Sequence, residues 1–292
     1  MKKTILILTL LFAIPGLGQD KKSIQFFQTN WGNELSWDAF CQRTKASGYD
    51  GIEVWLPSDI EGQNQLKAAL DKYDLAIAFL NGTNKKLPFE EGLTAYRNHL
   101  NTLIKWQPVF INCHTGSDFF TFEQNKAIVE VANKISQESG IPIYHETHRG
   151  RFSYNLPDTN TYLNEIADLN LTLDISHWMV VHESLLEGKD ALLNKVVNRS
   201  KHIHARVGHA EGPQVNDPQA PEWKSALDRH LDIWESVIKK EWSNGSSVIT
   251  ITTEFGPPNY LPALPYTQIP VADQWKANVF IMKVLKKRIS LE

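Results

Sequence analysis

Short apolar runs recur along the chain, each followed by a longer stretch in which apolar residues return every three or four positions. The runs lie at 24–31, 51–57, 75–82, 108–116, 141–148, 171–178, 201–209 and 247–256. They have the length of strands, whereas stretches such as "QLKAALDKYD" and "KAIVEVANKISQESG" carry the helical period. Gly48 and Gly140 stand where helices would stop. Eight strands alternating with eight helices imply crossover connections and a parallel sheet. Eight such units point to a single (β/α)8 TIM barrel with its active site at the C-terminal strand ends. A doubly wound open sheet fits less well, because no glycine-rich phosphate turn follows the first strand. No change of composition breaks the alternation, so residues 19–292 read as one barrel domain.

The polar residues that interrupt this pattern fall at the ends of the apolar runs. Strand four ends in His114, strand five in Glu146 and His148, and strand six in Asp174, with His177 just beyond. Strand seven carries His202, His204 and Arg206, and strand eight ends in Glu254. A buried carboxylate is costly unless paired or bound to metal. Two Glu and one Asp converging on one barrel mouth would repel one another strongly. One divalent cation resolves that repulsion. Carboxylates with an imidazole suit Mn, Zn, Co or Fe better than Mg or Ca, so one histidine of "HIH" is a candidate ligand. His182, His209 and His230 fall in loop or helix positions and read as surface residues.

The N-terminal "MKKTILILTLLFAIPGLGQ" has two lysines, a short apolar run, a proline and small residues. That layout predicts a secretory signal peptide over residues 1–18, an exported (periplasmic or secreted) protein, and no membrane span after cleavage. The net charge of −3 gives no electrostatic reason to expect a nucleic-acid partner. Two cysteines, Cys41 and Cys113, are too few for a disulfide framework and read as small buried hydrophobes. Nine tryptophans are many for the length and could serve the core or a sugar ring.

"GYDGIEVW" on strand two, Glu146, "DISH" after strand six, "HIH" on strand seven and "TEFG" on strand eight resemble, in this order, the xylose isomerase-like barrel superfamily. That group includes sugar isomerases, ketose epimerases, inosose dehydratases and endonuclease IV-type enzymes. The resemblance implies metal ligation by Glu146, Asp174, His204 and Glu254, with His202 deeper in the barrel behind the ligand. It makes His177 a substrate contact. The epimerases also carry an arginine six residues past the strand-seven histidine; here that position is Ala210, and Arg206 is nearer. His148 and Arg149 depart from the epimerase pattern too, which bears on the substrate more than on the metal.

The function expected is a metal-dependent isomerase or epimerase of a non-phosphorylated sugar or keto-sugar. Glu146 and Glu254 would act as the two bases beside a metal-polarised carbonyl, and the charge of the enediolate is what the site must stabilise. The same apparatus could expel a leaving group, making a lyase or dehydratase the alternative. An endonuclease IV-type phosphodiesterase is disfavoured, because strand three ends "FLNG" without a histidine. A carbohydrate-binding module is disfavoured by the full ligand set. His114, His148, Arg149, His177 and Arg206 are the expected polar substrate contacts, and Trp55 and Trp178 the stacking surfaces. Two proline-rich loops, 208–223 and 255–270, would cover the site or form an interface in a homo-oligomer. Their prolines lack the N–H groups a phosphate turn requires.

Overall fold

The computed structural model describes residues 22–289; the expected signal peptide lies outside them. Eight parallel strands pair in sequence order and close β8 onto β1. They are β1 (Ser23–Thr29), β2 (Gly51–Trp55), β3 (Ala76–Gly82), β4 (Ile111–His114), β5 (Ile143–Glu146), β6 (Leu171–Leu173), β7 (Ser200–Ala205) and β8 (Val248–Thr253). The helices are α1 (Trp37–Ala46), α2 (Ile60–Tyr73), α3 (Phe89–Leu103), α4 (Phe122–Ser139), α5 (Leu156–Glu165), α6 (Ser176–Val181), α7 (Asp190–Val197), α8 (Lys224–Ser243) and α9 (Gln274–Ile289). Capping is local and legible: Thr121 and Gln124 form a capping box on α4, and Gly140 ends that helix at φ 73°.

Among the described residues there are nine α-helices rather than eight, because the sixth strand is shorter than its apolar run suggests. Asp174 turns the chain at the strand end. Its Oδ1 accepts from the Ser176 backbone N–H at 3.0 Å and from the Ser176 hydroxyl. The rest of "DISHW" winds into α6. Trp178 therefore points into the core, fully buried, with its indole N–H donating to the Ser153 carbonyl at 2.8 Å. This corrects the expectation that Trp178 stacks on a substrate.

The two-residue period of the strands sorts the barrel interior into layers. Near the N-terminal end, Phe27 and Phe110 meet edge-to-face at 5.2 Å across the barrel, beside Ala78 and Tyr144. One layer up, Glu53, Asn112, Glu146, His204 and Thr252 crowd together. Above them lie His114, Asp174, Arg206 and Glu254. The outward-facing partners, including Ile52, Val54, Ile203 and Ile251, are fully buried under the helices. The strands are thus covered on both faces, as an all-parallel sheet requires. Cys41 and Cys113 are free thiols, both buried.

Candidate active site

Glu146, Asp174, His204 and Glu254 come from four successive strands, and one ligand atom from each lies within 4.8 Å of all the others. All four residues are buried. Glu146 Oε1, His204 Nδ1 and Glu254 Oε2 have no hydrogen-bond partner. His204 Nδ1 sits 3.1 Å from Glu254 Oε2 and 3.5 Å from Glu146 Oε2. A buried polar atom without a partner is costly, and three that converge form a donor set suited to a cation.

The opposite sides of these groups are tied down. His204 Nε2 lies 3.0 and 3.1 Å from the two oxygens of Glu53. A carboxylate only accepts, so Nε2 carries the proton and Nδ1 presents a lone pair when the ring is neutral. Glu53 is fully enclosed by His204, His202 (3.3 Å) and the Thr252 hydroxyl. Burial works to raise its pKa, but the two imidazoles outweigh it and hold Glu53 well below the usual carboxylate range. Asn112 donates to Glu146 Oε2 at 2.7 Å, and His114 Nε2 stands 2.9 Å from the same oxygen. The attraction of His114 and His204 overcomes burial and keeps Glu146 ionised far below its ordinary value. For His204, burial opposes protonation, yet Glu53, Glu254 and Glu146 together raise it well above the ordinary imidazole range.

Asp174 differs from the other three. Its Oδ1 is taken by Ser176 and its Oδ2 by Arg206 Nη2. Burial pushes its carboxyl up to about 7, against the pull of Arg206 and with the repulsion of Glu254 and Glu146. Arg206 is itself buried and also lies 3.5 Å from Glu254 Oε2. Its positive charge answers part of the acidic cluster. A cation taking Asp174 as a ligand has to share it with this guanidinium.

Above the cluster opens a cavity of about 260 Å³. Glu254, Arg206, His114 and His148 reach it, with walls from Thr29, Trp31, Trp55, Leu80 and Tyr260. Trp55 is 44% exposed and meets His114 edge-to-face at 5.7 Å. Trp31 and Tyr260 pack edge-to-face at 4.8 Å, with the Arg206 guanidinium over the Tyr260 ring at 4.8 Å. Gly256 makes room for this wall, since a Cβ there would meet Trp31 at 2.4 Å. A larger depression of about 370 Å³ lies beyond Trp31, between the loop after β1 and the start of α9, and holds none of the strand-end acids.

Of the expected substrate contacts, His114, His148, Arg206 and Trp55 border the cavity. Arg149 stands at its rim, with Nη2 3.2 Å from the Tyr260 hydroxyl. His177 is fully buried between two arginines: Arg149 Nε donates to its Nδ1 at 3.0 Å, and Arg206 Nη2 lies 2.9 Å from its Nε2. It supports the wall rather than facing the cavity. Burial, then repulsion from His148 when that ring is protonated and from Arg206, hold it well below the ordinary imidazole value. His202 lies deeper, as expected, with Nδ1 2.7 Å from Thr250 Oγ1 and its ring 4.2 Å from Phe110.

Three contributors are missing from the sequence reading. Glu53 was visible as the one charge inside "GIEVW", but its partners lie some 150 positions away. Asn112 and Tyr260 carried no signal beyond their places on a strand and in a proline-rich loop. His230 corrects another expectation. It is fully buried, not on the surface; its Nδ1 lies 2.7 Å from the Ala226 carbonyl and its Nε2 accepts from the Gly208 N–H at 3.1 Å.

The proline-rich loops are joined to each other. Gln214 accepts from the Gly256 N–H at 2.7 Å and donates to the Gly256 carbonyl at 3.1 Å. Tyr260 brings the second loop down onto the cavity.

Among solved structures, the chain is similar to the 3-keto-D-glucoside 4-epimerase of E. coli, with 14% identity and a TM-score of 0.59 over 91% of this chain and 100% of that one. It is similar to the probable 3-DHS dehydratase AsbF of Bacillus anthracis, with 16% identity and a TM-score of 0.58 over 90% and 98%. A xylose isomerase-like TIM barrel protein of Mycobacterium smegmatis, in complex with magnesium, gives 10% identity and a TM-score of 0.59 over 90% and 97%. At these identities the likeness is one of fold. Comparison with curated protein sequences gives no match. The family described as xylose isomerase-like TIM barrel matches residues 41–242, well over half of the sequence, and the chain belongs to that family.

Proposed function

We propose that this protein is a metal-dependent isomerase or epimerase of a non-phosphorylated sugar or keto-sugar. The observation that carries the reading is the trio of buried atoms without a hydrogen-bond partner, Glu146 Oε1, His204 Nδ1 and Glu254 Oε2, gathered with Asp174 beneath one cavity. Glu146, Asp174, His204 and Glu254 would hold one divalent ion, which when bound polarises a substrate carbonyl as a Lewis acid. Glu146 and Glu254 both approach His204 Nδ1, at 3.5 and 3.1 Å. One would take the proton from the carbon next to the carbonyl and the other would return it. Arg206, beside Glu254 at the cavity, would face the negative charge that develops on the substrate oxygen. Trp31, Trp55 and Tyr260 would exclude water and present apolar faces to a sugar ring.

The backbone supports a substrate without phosphate. Phosphate sites in such barrels use free N–H groups in the loops after β7 and β8. Here those of Gly208, His209, Glu211, Gly212, Phe255 and Gly256 are already donated within the protein. With this reading goes export, on the strength of the N-terminal segment.

The test is metal content joined to solvent exchange. Purified protein is expected to hold about one divalent ion per chain, and Asp174→Ala to lose most of it. Asp174→Asn, which can keep a contact to Ser176, separates lost ligation from lost folding. Wild-type metal content in both variants would sink the ligand set. Keto-sugars incubated in D2O should gain deuterium at the carbon beside the carbonyl. Elimination products without recovered sugar would turn the reading to a lyase.

A further inference from the structure

The loops beside the cavity differ in charge from its floor: His148 lines the cavity, and the chain just past it is basic. Arg149 and Arg151 flank Gly150 in the loop after β5, and Lys85 reaches across from the loop after β3 to donate to the Gly150 carbonyl at 2.9 Å. Gly150 adopts φ +69°, a turn that suits glycine, and the tight turn sets the two arginines on either side. Among the described residues, none of these three cations is in an ion pair with a carboxylate within 4.0 Å. Arg151 Nε is buried without a hydrogen-bond partner. Arg151 donates its other contacts only to backbone: its N–H to the His148 carbonyl at 3.2 Å and Nη1 to the Gly150 carbonyl at 3.2 Å. Arg149 spends its guanidinium on a neutral imidazole and a phenol. Lys85 Nζ and Arg151 Nη1 converge on the Gly150 carbonyl, and two cations held this close with no carboxylate within 4.0 Å are costly to keep together. Burial lowers the pKa of both Lys85 and Arg151, and for Lys85 the repulsion of Arg151 comes next. The acidic groups acting on this corner are Glu146, engaged in the floor, and Asp118, whose Oδ1 accepts from Ser117.

We propose that Lys85, Arg149 and Arg151 form an anion subsite that takes the carboxylate of an acidic sugar whose ring lies over the floor. The inference rests on the carbohydrate reading above and narrows its substrate class. The Arg151 guanidinium beside Lys85 offers a planar carboxylate paired N–H donors and a second positive charge, with Arg149 two residues before it in the chain. A phosphoryl group would have the same charge sign. In the loops after β7 and β8 the amides of Gly208, His209, Glu211, Gly212, Phe255 and Gly256 are already donated, and the α5 N-terminus is taken as well: Asn155 accepts from the Asp158 N–H at 2.8 Å and His182 from the Leu156 N–H at 3.1 Å.

The experiment is a calorimetric binding series on the full-length holoprotein. The probes are D-glucuronate and D-galacturonate, their neutral counterparts D-glucose and D-galactose, and D-glucose 6-phosphate. The expected result is at least tenfold tighter binding of a uronate than of its neutral counterpart, weakening as salt is raised. Arg151→Gln and Lys85→Gln should erase that preference while changing affinity for the neutral sugars less than twofold. Both variants alter groups at a loop rim, and an unchanged melting temperature verifies folding. Equal affinity for acidic and neutral sugars overturns the subsite, as does a preference that survives both substitutions. Tightest binding of the 6-phosphate overturns the carboxylate assignment. Deuterium exchange is read separately. Exchange of neutral keto-sugars without any charge preference leaves the isomerase reading standing and the subsite rejected. Arginine-dependent uronate binding without exchange on any sugar does the reverse.

Discussion

The floor and the rim of the same cavity are built on opposite principles. The floor is acidic, sits on strand ends and is fixed from behind: Glu53 holds His204, Asn112 holds Glu146, and Ser176 with Arg206 holds Asp174. The rim is basic and sits on loops; Lys85 is exposed and the two arginines half-buried. What contacts they make go to backbone, a histidine and a phenol. The floor has more negative charge than its own cations answer, and the rim has positive charge with no carboxylate among the described residues within 4.0 Å of it. A rigid floor suits chemistry, which needs groups held in one geometry before the substrate arrives. A rim of long side chains on loops suits recognition, where a substrate can complete what the protein leaves open.

The sharpest break of that contrast is to remove the floor's proton-transfer capacity while keeping its shape. Glu146→Gln and Glu254→Gln are isosteric and should each lower kcat by about 10²- to 10⁴-fold, the range of general acid–base catalysis. Sugar affinity should move far less. Near wild-type turnover in either variant would make that glutamate a ligand alone and end the two-base scheme.

The scaffold under the floor should be sensitive to pH in a way the rim is not. His230 accepts the Gly208 N–H through Nε2, which requires a neutral ring, and burial holds its pKa down to about 4. The unfolded chain would titrate this histidine near 6.5. Between these values the unfolded state binds more protons, so stability is fully present above about pH 6.5 and is lost as pH falls toward 4. The shift corresponds to roughly 3 kcal/mol at most. His145, fully buried and lowered to about 3 by burial, adds in the same direction. Melting temperature followed from pH 7.5 to 4 should fall across this window, and His230→Gln should flatten the fall. An identical pH profile in the variant would show that the Gly208 contact carries none of it.

Glu53 tests whether the floor is preset. It is not itself part of the cavity lining and acts by holding the His204 tautomer. Glu53→Gln should weaken metal affinity by about 10- to 100-fold, the usual cost of losing a residue that orients a ligand. Excess metal should restore kcat, and KM for the sugar should stay near its original value. Unchanged metal affinity would leave Glu53 as packing.

Floor and rim were also unequally legible in the sequence. Glu146, Asp174 and Glu254 each end an apolar run, and charges in that place are conspicuous because the core would otherwise continue through them; His204 lies inside its run, and the family resemblance set it apart from His202. Their strands were readable from alternation alone. Glu53 hid because a single carboxylate inside a strand gives no sign of partners 150 positions away. Trp178 misled for a local reason: Asp174 bonds Ser176 and starts α6, which rotates the indole into the core. His230 sits on α8 among charged residues and looks exposed until the loop after β7 folds over it. Lys85 and Arg151 belong to different loops, and nothing short of the closed barrel puts them side by side.

The smallest effect is expected from Trp55, which belongs to neither charge system. It ends β2 at the mouth, lines the cavity and is 44% exposed, so little of the fold depends on it. Its indole edge meets His114, which in turn stands against Glu146, so it borders the chemistry without taking part. An aromatic face at this place contributes contact area to a ring of any charge. Aromatic contacts of this kind are worth about 0.5–1.5 kcal/mol, so Trp55→Ala should raise KM by about 2- to 12-fold for acidic and neutral sugars alike. The melting temperature should stay within a degree or two of wild type, and kcat should be nearly unaffected. If kcat falls a hundredfold with KM unchanged, the indole is positioning His114 against Glu146, and the boundary between a recognising rim and a reacting floor runs one residue higher than drawn here.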